Sequence, residues 1–96
     1  MERITRKKLE KLVENLNYIT GSPLEYGYRD DDGKFHTNAG HYCIGGAYGG
    51  YKLERVANEG GGITNPLYMG YVSARECYDL INAYKAGIYD AKTNRV

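Results

Sequence analysis

The residues of this chain with the most versatile chemistry are two histidines and a cysteine that lie close together in sequence. His36, His41 and Cys43 could ligate a metal ion if the carboxylates of 30–32 were recruited across a turn, but the set has no established ligand spacing. The three aspartates also lack the alternating ligands and the closing glutamate of an EF-hand loop. A Cys43/His41 nucleophile pair has no evident orienting carboxylate or oxyanion hole. We therefore expect no catalytic residues, no metal and no cofactor, and predict that the protein is not an enzyme.

Glycine and tyrosine dominate the segment from Gly40 to Gly70, which holds nine of the 13 glycines. Glycine lets backbone amides approach a ligand, and tyrosine offers a flat apolar face with a polar tip. This composition favours recognition over catalysis. The ligand-binding residues that we predict in this segment are Tyr48, Gly49, Gly50, Tyr51, Arg55, Asn58 and Asn65.

The predicted site would bind a nucleotide-like ligand. Tyr48 and Tyr51 would stack on its ring, and Arg55 would meet its phosphate. Asn58 and Asn65 would read the edge of a base.

Simpler interpretations stay open. The loop 45–50 carries neither the Walker pattern nor the dinucleotide fingerprint, so a hairpin turn is favoured over an anion-binding nest. The loop 58–66 is as readily a flexible surface loop.

The length and charge of the chain limit its function. Its 96 residues are enough for one domain with a single modest core. Lysine and arginine number 13 against 12 acidic residues, so the net charge of +1 predicts no global attraction to nucleic acid or membranes. The basic residues near the N-terminus are typical of a solvated helix face, with a phosphate-contacting patch as the alternative. They are Arg3, Arg6, Lys7, Lys8 and Lys11.

The compartment can also be predicted. No apolar run approaches the ~18 residues of a membrane span, and no signal-peptide pattern follows Met1. We therefore expect a cytoplasmic protein without membrane contact, in which Cys43 and Cys77 are reduced thiols.

Two amphipathic helices are predicted. The first covers about Thr5 to Asn17, with Thr5 as N-cap and the sequence 21–23 ending it. The second begins at the capping box 73–76, and Gly87 is placed to terminate it. Its apolar stripe consists of Ala74, Cys77, Leu80, Ile81, Tyr84 and Ile88. The polar tail 90–96 is expected to be flexible or to dock on a partner.

The segments between the helices alternate like strands. Residues 24–28 and 35–37 flank a turn at 30–34 that contains an Asp-Gly step, a strong hairpin signal. Residues 41–44 and 51–57 are further strand candidates, with 60–72 as a long loop. The predicted fold is a two-layer α+β domain, in which a small antiparallel sheet of three to four strands packs on two amphipathic helices in the order α-β-β-β-α.

Three stretches of the sequence resemble a family of small, uncharacterised bacteriophage and prophage proteins. They are LEKLVENLNYITGSPLE, GHYCIGGAYGGYKLERVANEGGGIT and SARECYDLINAYKAGI, and together they span most of the chain from about Leu9 to Ile88. The resemblance implies a phage origin and action in the host cytoplasm. It supplies no binding residues.

The functional expectation follows from the resemblance and the composition together. The protein is expected to be a non-catalytic phage accessory protein that counters or redirects a host process, by sequestering a nucleotide-like ligand at a homo-oligomer interface where two glycine-rich loops meet. The first alternative is a protein–protein inhibitor of a host defence factor that uses exposed tyrosines as anchors. The second is RNA or DNA binding, because the element order is that of double-stranded-RNA-binding domains, although 73–76 lacks their lysines.

Overall fold

Two helices and five strands make up the fold of residues 3–93, which are the residues that this computed structural model describes. In chain order they are α1 (Arg6–Thr20), β1 (Gly27–Arg29), β2 (Phe35–Thr37), β3 (Tyr42–Ala47), β4 (Gly50–Val56), β5 (Ile63–Thr64) and α2 (Ala74–Thr93). The predicted α+β class is confirmed. The strands form two small antiparallel sheets, β1-β2 and β3-β4-β5, where three to four strands in one sheet were expected.

Helix α1 begins as predicted and ends slightly later. The hydroxyl of Thr5 accepts a hydrogen bond from the Lys8 amide at 3.2 Å, which satisfies one of the unpaired amides of the first turn. The helix continues beyond Asn17 to Thr20 and ends at Gly21, whose φ of 69° is the left-handed conformation of a glycine C-cap.

Helix α2 begins at its predicted cap but passes through its predicted end. The Ser73 hydroxyl accepts from the Glu76 amide at 3.1 Å, as a capping-box serine does. Gly87 lies inside the helix, since Ile88 packs on the core and Lys92 donates to the carbonyl of Ile19 at the end of α1. These tertiary contacts outweigh the low helix propensity of glycine. The predicted tail is therefore helical up to Thr93, and its residues 94–96 lie outside the described part.

The main sheet is built around the β3–β4 hairpin. Its two-residue turn is Tyr48–Gly49, with φ of 54° and 74°, so the glycine loop is the hairpin turn that was favoured for it. Strand β5 pairs with the end of β4 inside the segment predicted to be a loop. It escaped prediction because it has two residues and follows three glycines.

The core lies between the helices and one face of this sheet. In β4 Leu53 is buried in the core and Tyr51 packs against it, while Val56, on the opposite face of the strand, is 1% exposed. The fully or nearly fully buried apolar side chains of this cluster are Leu9, Val13, Leu16, Tyr42, Leu53, Cys77 and Ile81. Leu80, expected in the apolar stripe of α2, is 36% exposed. None of the helices within 3–93 has the length and apolar character that crossing a membrane requires.

Candidate partner-binding cleft

A cleft of about 540 Å³ runs beside β3. Helix α1 supplies one wall with a stripe of side chains at helical spacing: Arg6, Glu10, Val13, Glu14 and Asn17. The other lining residues come from β3, from Glu54 of β4, and from the segments around Leu24 and Ile63. We call this space the β3 cleft.

The outer edge of β3 opens along this cleft. Strand β3 is the edge strand of its sheet, and no strand within residues 3–93 pairs with its outer side. Backbone groups alternate in direction along an antiparallel strand, and those of Tyr42 point outward to the side chain of Asn17. By the same alternation those of Ile44 and Gly46 point outward as well.

The side chain of Asn17 blocks one end of this edge. Its Oδ1 accepts from the Tyr42 amide at 2.7 Å, and its Nδ2 donates to the Tyr42 carbonyl at 3.0 Å. Both residues are about 2% exposed, so these bonds are shielded from water. The open stretch of β3 therefore runs from Ile44 to Gly46.

Carboxylates outnumber cations in the lining of the cleft. Glu10, Glu14 and Glu54 contribute three carboxylates against the single guanidinium of Arg6, which lies 3.5 Å from Glu10, and Nζ of Lys52 lies 3.9 Å from Glu54. The carboxyl group of Glu54 covers Gly45, where a Cβ atom would come within 2.5 Å of it. A ligand with positive charge would therefore be favoured here.

Apolar side chains complete the lining. Leu24, Tyr26 and Ile63 are 58%, 44% and 43% exposed, which is high for residues of their size and type. Tyr26 is held by stacking on Phe35 at 6.1 Å and by an edge contact with His41 at 5.9 Å. The cleft therefore offers apolar contact area next to its carboxylates.

Cys43 and His41 line the cleft without forming a nucleophile pair. Burial, assisted by the charge of Glu54, raises the pKa of the Cys43 thiol, which disfavours the reactive thiolate. Nδ1 of His41 lies 2.8 Å from the carbonyl oxygen of Pro23, so it carries a proton and donates there. Within 3–93 no group of three or more histidine, cysteine or acidic side chains could hold a metal ion.

The predicted ligand-binding residues are dispersed. Tyr48 and Gly49 form the hairpin turn, where the Tyr48 side chain is 96% exposed and its ring meets Tyr71 at 5.8 Å. Gly50 starts β4 and lies against the backbone of Val72. Tyr51 bonds Val72 through its own backbone and packs on the core.

The two predicted asparagines hold loops in shape. Oδ1 of Asn58 accepts from the amides of Gly60 and Gly62 at 2.9 and 3.1 Å. The Asn65 side chain bonds both backbone groups of Met69. Turn formation therefore accounts for these residue types.

Arg55 and Asn65 are the two predicted residues that the structure brings together. They line a second cavity of about 480 Å³, which we call the Arg55 cavity. Its other lining residues are Thr64, Pro66, Tyr68 and Tyr84.

Buried contacts hold the guanidinium of Arg55 at this cavity. Its Nε donates to the Gly40 carbonyl at 3.0 Å, and the group lies 4.4 Å from the ring centroid of Tyr42. The Tyr42 hydroxyl is 2.8 Å from that of Tyr84, and burial together with this hydrogen bond raises the pKa of Tyr42 to about 12.

Sequence reasoning missed several residues that shape the two sites. Asn17 follows Leu9, Val13 and Leu16 at helical spacing, and a polar residue on that apolar face was a signal of a buried hydrogen bond. Glu54 and Tyr84 gave no such signal. Strand pairing brings Glu54 to the β3 cleft and helix packing brings Tyr84 to the Arg55 cavity, and neither can be read from nearby residues in the sequence.

Comparisons with protein-family profiles, with curated proteins and with solved structures found no match to this chain.

Proposed function

We propose that this protein is a non-catalytic binding protein that recognises an extended, basic segment of a host protein. The segment adds as a strand to the open stretch of β3, inside the β3 cleft. The observation that carries the proposal is the outward direction of the Ile44 backbone groups at the unpaired edge of β3, because Ile44 lines a cleft that also holds three carboxylates.

Strand addition divides affinity and specificity between two kinds of contact. Main-chain hydrogen bonds to Ile44 and Gly46 supply a sequence-independent part. Alternate side chains of the segment then face the cleft, where lysine or arginine meets Glu10, Glu14 or Glu54. The apolar stems of these same basic side chains contact Leu24, Tyr26 and Ile63, which line the same cleft.

The biological setting is part of this proposal. On the sequence resemblance alone, we further propose a phage accessory protein that acts in the host cytoplasm and inhibits or redirects its target. Nucleic-acid binding has less support, because the net charge is only +1 and Arg6 of the basic N-terminal cluster lies 3.5 Å from Glu10. A small ligand has its own supporting observation in the Arg55 cavity.

The direct test uses labelled peptides of about seven residues. A peptide of alternating lysine and valine should bind in fluorescence anisotropy, and its glutamate–valine counterpart should not. Binding should weaken as salt is raised, because the charges are largely exposed. The variant Glu14→Lys should weaken binding, whereas Asp31→Asn, which alters a carboxylate outside the cleft, should leave it unchanged.

Backbone methylation of the peptide separates strand addition from simple charge attraction. Only alternate amides of an added strand face β3. Two peptides are therefore compared, each N-methylated at one of the two alternating sets of residues. The peptide methylated at the amides that face β3 should lose binding, and the other should keep it. Equal affinity for both would rule out strand addition.

A second copy of this chain is the competing occupant. Pairing two β3 edges would bring two acidic clefts together, which disfavours a homo-oligomer built this way. Sedimentation of the protein alone tests the point. If the protein sediments as a dimer and the basic peptide dissociates it, the outer edge of β3 is the dimer interface. The predicted homo-oligomer would then form through this surface.

A further inference from the structure

The guanidinium of Arg55 is a partly buried cation without an acidic partner. Arg6, Lys52 and Arg75 each have a carboxylate within 4.0 Å, but none lies that close to Arg55 among residues 3–93. The guanidinium contacts the Gly40 carbonyl and the Tyr42 ring. Partly desolvated charges are normally paired, so this arrangement favours a bound anion.

Hydroxyl groups beside Arg55 add hydrogen-bonding capacity. The pair formed by Tyr42 and Tyr84 holds two hydroxyl protons, of which their mutual hydrogen bond uses one. Since Tyr42 is buried and Tyr84 lines the cavity, donation by Tyr42 leaves the proton of Tyr84 free for a ligand. The Thr64 hydroxyl lies at the same wall, but it donates its proton to the Arg55 carbonyl at 3.3 Å.

An aromatic surface stands at the rim of the cavity. Tyr68 is 95% exposed and has a φ of 49°, a conformation that bulky residues rarely adopt. The bonds between the Asn65 side chain and Met69 close the loop that carries it. A large ring kept in water at such a position is suited to stacking on a flat ligand.

We propose that the Arg55 cavity binds a mononucleotide. The phosphate pairs with the terminal nitrogens of Arg55 and accepts from Tyr84, while the base stacks on Tyr68. An arginine matches phosphate geometry through paired N–H donors, and base–aromatic stacking is sequence-tolerant. This site is separate from the β3 cleft, so either proposal can fail without the other.

The test is calorimetric titration of the full chain with adenosine 5′-monophosphate and with adenosine. We expect the monophosphate to bind with a Kd below about 1 mM and adenosine to bind at least about tenfold more weakly. Comparing the two ligands on the unaltered protein tests the role of charge without disturbing the Arg55 contacts. Absence of monophosphate binding at about 1 mM, or equal affinity for both ligands, would overturn the proposal.

Matched variants test the stacking surface. Tyr48 and Tyr68 are both almost fully exposed with positive φ, and only Tyr68 lines the cavity. Tyr68→Asn should weaken binding about tenfold, whereas Tyr48→Asn should not change it, since asparagine tolerates the left-handed conformation at both positions. Equal effects of the two variants would remove Tyr68 from the site.

A variant of Arg55 completes the series. Arg55→Gln should weaken binding of the monophosphate at least about tenfold and leave adenosine binding unchanged. Its circular dichroism and melting temperature establish whether the fold is kept. A single-stranded RNA that binds over about tenfold more tightly than the mononucleotide would instead assign the cavity to nucleic acid.

Discussion

The side chain of Asn17 forms with Tyr42 the two hydrogen bonds that a neighbouring strand would form. An amide side chain presents a donor and an acceptor side by side, as a peptide group does, so it can pair with both backbone groups of one strand residue. Helix α1 is thereby fixed to the edge of the sheet at one point, and the β3 cleft opens beyond it.

Replacing Asn17 should destabilise the fold strongly. In Asn17→Ala the buried amide and carbonyl of Tyr42 lose their partners, and each unsatisfied group costs about 1–3 kcal/mol. We expect the free energy of unfolding in urea to fall by about 2–4 kcal/mol. Asn15→Ala, at an exposed position of the same helix, is the matched control and should change it by less than about 0.5 kcal/mol. A similar, small effect of both variants would contradict the proposed pairing.

Replacing Gly87 should stabilise the protein. The glycine lies within α2, its φ is not positive, and no atom lies within 4 Å of an added Cβ. Gly87→Ala should raise the free energy of unfolding by about 0.5–1 kcal/mol, because alanine loses less backbone entropy in a helix. Gly21→Ala, at the left-handed C-cap of α1, should have the opposite sign. Destabilisation by Gly87→Ala would mean that the helix ends there, as the sequence suggested.

The turn between β1 and β2 should be sensitive to acid. The side-chain hydrogen bond with His36, 2.7 Å away, and then the bond from the Lys34 amide hold the pKa of Asp30 below its ordinary value of 3.8. Because the folded pKa is the lower one, the carboxylate stabilises the fold above about pH 4 and loses this effect as the pH falls through its folded pKa.

The measurement for this turn is the stability of Asp30→Asn relative to the unaltered protein as a function of pH. The two should differ at neutral pH and converge in acid. Asp31→Asn, which removes the adjacent carboxylate of the same exposed turn, should run parallel to the unaltered protein. If the stability of Asp30→Asn also ran parallel to that of the unaltered protein across this pH range, the Asp30 carboxylate would not contribute to the stability of the turn.

The two thiols should react slowly and in a fixed order. Burial raises the pKa of Cys77 to about 11, and burial with the charge of Glu54 raises the pKa of Cys43. Cys77 is completely buried while Cys43 is partly exposed, so iodoacetamide at neutral pH should modify Cys43 first and Cys77 only after unfolding.

The influence of Glu54 on Cys43 can be isolated. Glu54→Gln removes the neighbouring charge and should speed alkylation of Cys43, whereas Glu76→Gln at the start of α2 should not. Bound basic peptide should slow the reaction, because Cys43 lines the β3 cleft. An unchanged alkylation rate in the presence of saturating peptide would place the peptide elsewhere.

Local signals were enough to predict the helices and most strands. Thr5 and Ser73 act as caps through bonds within three residues, and the strand pair around the Asp-Gly turn depends on the same short range. The continuation of α2 beyond Gly87 could not be read in this way. It accompanies the packing of Ile88 on the core and the bond from Lys92 to Ile19, which is remote in sequence.

The candidate sites depend on long-range pairing even more. Arg55 was identified from its type, but the pairing of β3 with β4 sets it opposite Tyr42, and helix packing brings Tyr84 to the same cavity. Asn58 was expected to contact a ligand and instead orders its own loop. Composition identified residues suited to recognition without indicating which of them meet.

The short open edge of β3 also bears on aggregation. Long exposed strand edges can pair with other chains and seed fibres, and many proteins protect them. Here Asn17 closes one end, the glycines at 45 and 46 lower the tendency to extend a sheet, and the hairpin turn at Tyr48 ends the strand. We therefore expect Asn17→Ala to form thioflavin-positive fibres more readily than the unaltered protein, since losing that one side chain lengthens the free edge.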